Sequence, residues 1–232
     1  MRRTLMELET MTLTDSKTFY IDPYISLTGK KGSSHQLRSR IFYADNDNGN
    51  DQSNKTNVYL AEYRFNREII SLGRLNVTSG AYFQQSFSQA SLYAGSGSNK
   101  NTLENYAAFI QLEKKLIKKL LVSAGFRAEY FEMNNKDAQL EPILRAGLNY
   151  QLTEGTFIRC SYGQGYRYPT IAEKFIETGA GGISVFPNPE VRPESSWNAE
   201  AGIKQGFKIG NFFGFADIAV FEQRYHNTIE YI

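Results

Sequence analysis

The sequence predicts an all-β protein: about ten antiparallel strands running up and down as one part of a transmembrane β-barrel wall. Three observations predict it. Strand-like segments alternate apolar and polar residues; the links between them alternate short and long; and no run of about 18 apolar residues could form a membrane helix. Composition agrees, with 15 Tyr, 16 Phe and 19 Gly against only 6 Pro in 232 residues. Aromatic and glycine-rich sequence suits a large antiparallel sheet. A mean hydropathy of -0.45 is low for a membrane protein. It is expected of a barrel, because half of each strand faces water.

The strands are expected at Phe19 to Leu27, His35 to Tyr43, Asn57 to Phe65, Arg74 to Phe87, Glu104 to Lys114, Lys119 to Phe131, Leu140 to Leu152, Thr156 to Arg167, Trp197 to Phe207 and Phe212 to Arg224. Residues 1–18 form a lead-in to a wall that occupies 19–232. Short links include KLIKK, LTEGT and KIGN, whereas ADNDNGNDQSNKT, SQASLYAGSGSNKNT, EMNNKDAQ and an excursion at 168–196 are longer and more polar. A β-sandwich would mix these lengths, because Greek-key crossovers break the rhythm. In a barrel the short links are periplasmic turns and the long ones extracellular loops.

Alternation assigns the faces. Val122, Ala124, Phe126, Ala128 and Tyr130 share one side, and Ser123, Gly125, Arg127 and Glu129 the other. A charge facing lipid at mid-bilayer costs about 2 to 4 kcal/mol, so the charged side is the lumen. Cys160, the single cysteine, falls on the lipid side. Tyr150 at one end and Tyr166 with Tyr168 at the other fit interfacial aromatic girdles. A turn centred on Glu154 makes opposed positions sum to about 308, pairing Asn149 with Arg159 and Gly147 with Ser161. The same register predicts a lumen-facing ion pair, Glu141 with Arg167.

The stretch from Phe157 to Glu200 holds the most specific signal. Pro169 ends a strand, and TIAEKFIE reads as a short helix capped by Thr170. Glycines 179, 181 and 182 follow, then the three prolines of FPNPEVRPESS and a strand opening at Trp197. The order YGQGYRYPTIAE, PNPEVRPE, SWNAEAGIK resembles the TonB-dependent outer-membrane receptors. Tyr168 departs from the pattern, since the family more often has a small residue there.

That resemblance implies a 22-stranded barrel, of which this chain would be the central part, in the outer membrane of a Gram-negative bacterium. It implies TonB-energised uptake of a scarce extracellular solute: an iron chelate, a cobalamin or an oligosaccharide. It also implies two partners besides the lipid bilayer: that small-molecule or oligosaccharide ligand, and the TonB inner-membrane complex, reached through a TonB box and plug that this sequence does not contain. The N-terminus lacks the apolar core of a secretory signal, so a piece of a longer protein is expected. Two alternatives remain at this point: a self-contained ten-stranded outer-membrane barrel, adhesin or protease, and a soluble all-β binding module.

Candidate ligand contacts lie in or beside the long links: Tyr93, Arg167, Phe175, Phe186, Asn188 and Trp197. Rigid aromatic side chains offer contact area at low entropy cost, although packing the loops on one another is their more ordinary role. Asp45, Asp47 and Asp51 resemble a calcium loop but lack its closing glutamate, so a solvated loop is the better reading. Gly163-Gln164-Gly165 lacks the rest of a phosphate-binding motif. No carboxylate pair, catalytic triad or metal cluster is present in the sequence. It predicts no enzyme, no cofactor and no metal, and a net charge of +2 gives no reason to expect nucleic acid.

Overall fold

A computed structural model describes residues 13–49, 52–93, 95–180 and 183–230. Its main element is one antiparallel sheet in which sequence neighbours are spatial neighbours. In order along the sheet the strands are β1 (Thr14–Ile21), β3 (Ser34–Asn48), β4 (Asn54–Ile69), β5 (Leu75–Ala90), β6 (Lys100–Ile117), β7 (Leu120–Met133), β8 (Lys136–Gln151), β9 (Thr156–Arg167), β12 (Glu194–Ile209) and β13 (Phe212–His226). β2 (Tyr24–Thr28) also pairs with β3, while β10 (Thr178–Ala180) and β11 (Ile183–Val185) form a separate small hairpin. β1 and β13 do not pair with each other, so the sheet is open. A ten-stranded barrel closed on itself would need that pairing.

The register confirms the facing. Leu37, Tyr63, Ala81, Ala108 and Ala128 are successive partners across five strands. One residue along, Arg38, Glu62, Tyr82, Ala107, Glu129 and Glu141 form the opposite row. On the first face Ile110, Phe126, Leu144 and Tyr162 are exposed apolar side chains. Cys160 stands exposed among them, between Leu148 and Ala201. On the second face Glu62 is buried between Arg38 at 2.7 Å and Arg64 at 3.0 Å, and Arg127 pairs with Glu129. Gly80 lets the Phe109 ring lie flat on this inner wall, since a Cβ there would come 2.5 Å from that ring.

Several expectations need correction. The first strand begins at Thr14, five residues earlier than expected, and is interrupted at Asp22-Pro23. Both of its halves keep one register against β3, because the Pro23 carbonyl accepts from Ser39 N–H at 3.0 Å and Asp22 takes Arg40 through two 2.7 Å bonds. The link EMNNKDAQ is no long loop. β7 and β8 run to a two-residue turn, Asn134-Asn135, with φ of 56° and 55°. That left-handed pair is the hairpin geometry asparagine tolerates. The other long links shrink too, because polar strand residues continue the ladder: β6 has 18 residues, against the roughly 9 to 11 that cross a bilayer. Among the short links, Lys118-Lys119 and Gly210-Asn211 leave two residues each between strands.

The hairpin at 152–155 has the expected register, with Asn149 opposite Arg159 and Gly147 opposite Ser161. The ladder nevertheless stops at Arg145–Gly163. Pro142 has no N–H to offer, and the Leu144 N–H bonds the Gln164 side chain at 2.9 Å instead of a backbone carbonyl. Above this point β8 and β9 part, so the predicted Glu141–Arg167 pair does not form. Tyr166 and Tyr168 turn inward as well: both rings pack on Phe131, at 5.6 and 5.2 Å, and Tyr168 is buried. Phe131 belongs to the inner row with Asn105 and Gln84. The girdle at this end is built by other rings, among them Tyr106, Tyr130 and Trp197 beside Tyr162.

The facing sets a direct test. Phe126→Arg, on the outer face, is expected to destabilise the intact protein by about 2 to 4 kcal/mol. Gln111→Arg, on the inner face, should stay within about 0.5 kcal/mol. Urea unfolding in lipid vesicles measures both, and equal losses would refute the assignment.

Candidate functional site at the long-loop rim

The excursion after β9 folds back over the inner wall. Pro169 is fully buried, and Thr170 opens a single helix, α1 (Ile171–Phe175). The cap is reciprocal: Glu173 N–H donates to Thr170 Oγ1 at 3.2 Å, and Thr170 N–H donates to the Glu173 carboxylate at 2.7 Å. This is a capping box, which satisfies two backbone donors at once. A helix of five residues is marginal alone, so its position comes from packing. Ile171 and Phe175 are buried against Met133 and Tyr168, with Tyr93, Leu103 and Phe131 around them.

Ionic contacts fasten both ends. Arg167 donates to both Glu173 oxygens at 2.9 Å and, through Nε, to Glu194 at 2.8 Å. The other Glu194 oxygen accepts from Ile229 N–H at 2.6 Å. One guanidinium thus joins the end of β9, the first turn of α1 and the start of β12. Lys174 is buried, with its ammonium 3.2 Å from Asp137 and 5.9 Å from the Tyr168 ring centre. Tyr168 stacks on Phe131 and donates its hydroxyl to the Asp137 carbonyl at 3.2 Å.

Electrostatics follow from these partners. Glu194 stands above Trp197 at the rim, outside the bilayer, and the Arg167 guanidinium with the Ile229 N–H holds its carboxyl down at about 2. Burial pushes Glu173 up, but the Thr170 N–H and Arg167 outweigh it, leaving a net lowering. Burial raises the Tyr168 hydroxyl.

Contacts to other loops complete the rim. Tyr93 bridges to Ile176, and Glu177 N–H donates to the Leu92 carbonyl at 2.8 Å. Thr178 accepts from Gln52 at 3.5 Å. Pro187 rests on Gly95, where a Cβ would approach it to 2.3 Å. The Asn188 side chain accepts from Glu190 N–H at 3.1 Å, closing a turn at 188–190.

The sequence candidates therefore divide. Arg167 and Phe175 lie in one cluster with Tyr93, and there they hold the excursion in place. Phe186 is 73% exposed and Asn188 is also exposed. Trp197 lies on the outer face, 6.4 Å from Tyr162 and under Arg224 at 5.5 Å. Lys174, Asp137 and Glu173 were not anticipated. The T-x-x-E spacing of Thr170 and Glu173 was a readable capping signal; Lys174 and Asp137, 37 positions apart, leave none. The aspartates at the end of β3 are engaged by protein groups: Asp45 pairs with Lys55 at 2.9 Å and Asp47 accepts from Ser53 at 2.7 Å. Asp51 lies outside the described residues. Among the described residues no cluster of His, Cys, Asp and Glu could hold a metal.

An open wall of up-and-down strands, apolar outside and charged inside, with a loop folded back over the inner face at one rim, defines a segment of a large transmembrane β-barrel. The chain belongs to the TonB dependent receptor-like β-barrel family, which it matches over residues 9–232. The family is one of transport receptors, not enzymes. Among solved structures the chain is similar to the siderophore receptor PirA of Pseudomonas aeruginosa, with a TM-score of 0.71 and 16% identity over 91% of this chain and 40% of that one. It is also similar to the Serratia marcescens hemophore receptor HasR, solved with its hemophore HasA and heme, at 0.70 and 14% over 95% and 41%. A third likeness is to the ferric-catecholate import receptor Fiu of E. coli K12, at 0.65 and 10% over 90% and 41%. The chain spans about 40% of the length of these receptors. No curated protein sequence matches it.

Two outcomes test the rim. In the intact protein, trypsin should spare the bond after Lys174, while Arg167→Met or Asp137→Ala should expose it and raise its cleavage rate. Unchanged protection in both variants would refute the fastening. The acid response has a definite sign. Glu194 and Glu173 are lowered in the folded state, so their stabilisation is complete above about pH 4.5 and lost as pH falls toward 2. Hydrogen-exchange protection at 171–176, corrected for intrinsic rates, should therefore drop between pH 5 and pH 2.5.

Proposed function

We propose that this chain is part of the wall of an outer-membrane receptor that takes up a scarce extracellular solute with energy supplied by the TonB inner-membrane complex. The observation that carries the reading is the two-faced wall of a family of transport receptors, with a loop docked over its inner side. Extracellular loops capture the solute in this reading, and a plug inside the wall passes it on. The lining of Arg64, Arg127 and Arg145 with Glu62 and Glu129 is a polar surface suited to such a plug.

An iron carrier is the favoured solute. PirA is a siderophore receptor, Fiu a ferric-catecholate import receptor and HasR a hemophore receptor solved with its hemophore and heme, and all three are similar in fold to this wall. Phe186 and Asn188 present themselves to solvent and are the proposed contacts. Tyr93, Arg167 and Phe175 set the loop from which those contacts project. Trp197 serves the outer girdle.

Deleting the gene is expected to abolish growth on one class of iron carrier in iron-poor medium, with purified siderophores and heme supplied singly. The intact gene should restore it, and dissipating TonB coupling should remove it again. Unchanged use of every iron carrier, with loss of cobalamin or oligosaccharide uptake, would reassign the solute. Phe186→Ala should weaken binding of the identified solute by about 1 to 2 kcal/mol without changing expression.

A further inference from the structure

Two neighbouring turns at the short-link end of the wall, its periplasmic side, gather cations on the outer face. The first joins β4 to β5 through residues 70–74, and the second joins β6 to β7 at Lys118-Lys119. Gly73, with φ of 71°, closes the first turn by donating its N–H to the Ile70 carbonyl at 3.0 Å. Lys114 leans across from β6 onto that turn: a Cβ on Gly73 would lie 3.4 Å from its Cε and 3.6 Å from its Nζ. The ammonium is therefore carried over the neighbouring hairpin.

Register fixes the facing of these charges. Arg67 is opposite Val77 and Lys114 opposite Val122, which puts both in the rows that meet lipid. The carboxylates of the same strand ends, Glu68 and Glu113, stand one residue along and face the lumen, where Glu68 takes Arg74 at 2.7 Å. Among the described residues Arg67, Lys114, Lys118 and Lys119 have no ion pair, and the Arg67 Nε–H is buried without a hydrogen-bond partner. Buried donors are ordinarily paired, and a lipid phosphate offers this one an acceptor.

The turns are apolar as well as basic. Ile70 is 75% exposed, and Leu72, Leu116 and Ile117 are each more than half exposed. A soluble acidic partner would leave these side chains against water. A phospholipid receives both parts, because long basic side chains snorkel to the headgroup while apolar ones enter the acyl region. The long-loop end of the same strands has the opposite sign, with Glu104 facing Glu132 on the outer side.

We propose that Arg67 and Lys114, with Lys118 and Lys119 at the turn, bind the phosphate of an anionic phospholipid in the periplasmic leaflet. The inference rests on the outer face meeting lipid and is independent of which solute the receptor carries. A phosphate diester takes charge-assisted hydrogen bonds from a guanidinium and an ammonium together. A zwitterionic lipid would bring its own ammonium among four cations.

The experiment uses the intact protein, purified from membranes into mixed micelles of phosphatidylglycerol and phosphatidylethanolamine, with retained lipid counted by native mass spectrometry. The wild type should retain phosphatidylglycerol preferentially. Arg67→Gln with Lys114→Gln should cut that preference by about five- to thirtyfold, since each cation near a charged membrane surface contributes roughly fivefold. Lys100→Gln, on the same outer side at the other end of β6, should leave it unchanged. Equal retention of the two lipids by the wild type overturns the proposal, and so does an equal fall in Lys100→Gln, which would mean attraction to overall charge alone. Displacement of the lipid by inorganic phosphate at matched concentration also overturns it, leaving a plain anion site. If the double variant does not fold, Lys114→Gln alone decides, with about a fivefold loss expected. A protein recovered in the soluble fraction without detergent would refute both this proposal and the membrane-wall reading, whereas a changed solute would touch neither.

Discussion

Every strand of this wall must satisfy two solvents at once. Between the two open edges of the sheet its backbone donors and acceptors are paired along the ladder, because hydrocarbon supplies no alternative partner. Its side chains then alternate between lipid and lumen with a period of two. The pairing of Arg38 with Glu62 and of Leu37 with Tyr63, one step apart on the same two strands, shows both demands met together. A slip of one residue would put Arg38 and Glu62 into lipid. Register is therefore held by side-chain solvation as much as by hydrogen bonds.

Where that constraint is relaxed, the structure does something else. At the long-loop end β8 carries Pro142, the ladder with β9 ends at Arg145–Gly163, and the Gln164 side chain supplies a bond that the backbone cannot. The freed end of β9 carries Tyr166 and Tyr168 inward onto Phe131. Pro169 and the capped helix α1 follow the same direction. Once Tyr168 is buried, Met133, Ile171 and Phe175 close around it as a small core, with Phe131 packed against them. Burial of this apolar surface is what a short helix needs to hold its place.

The charges at that rim serve position more than affinity. Arg167 contacts carboxylates from α1 and from β12, and a fork of donors fits two carboxylates at once. Buried Lys174 is tied to Asp137, a partner at the tip of the β7–β8 hairpin. The excursion is thus fixed to three different strand ends. The exposed face that remains, at Phe186 and Asn188, projects from a framed loop, and less ordering is required when such a surface meets a ligand.

The sequence by itself determined the period-two pattern, and with it the strand number, the facing of Cys160 and Arg127, and the turn that sets Asn149 against Arg159. These depend on residues close along the chain or on a solvent preference every strand repeats. The family signature between Gly163 and Trp197 was legible for the same reason, being one contiguous stretch. Only the tertiary structure decided that the excursion folds inward, that Arg167 takes Glu173 and Glu194 in place of Glu141, and that Tyr93 and Phe175 pack loops together. Each of these turns on where a ladder stops and on which distant side chain fills the space, and neither leaves a local pattern. Lys174 with Asp137, and Lys114 over the Gly73 turn, exist only once the register has brought separate strands side by side.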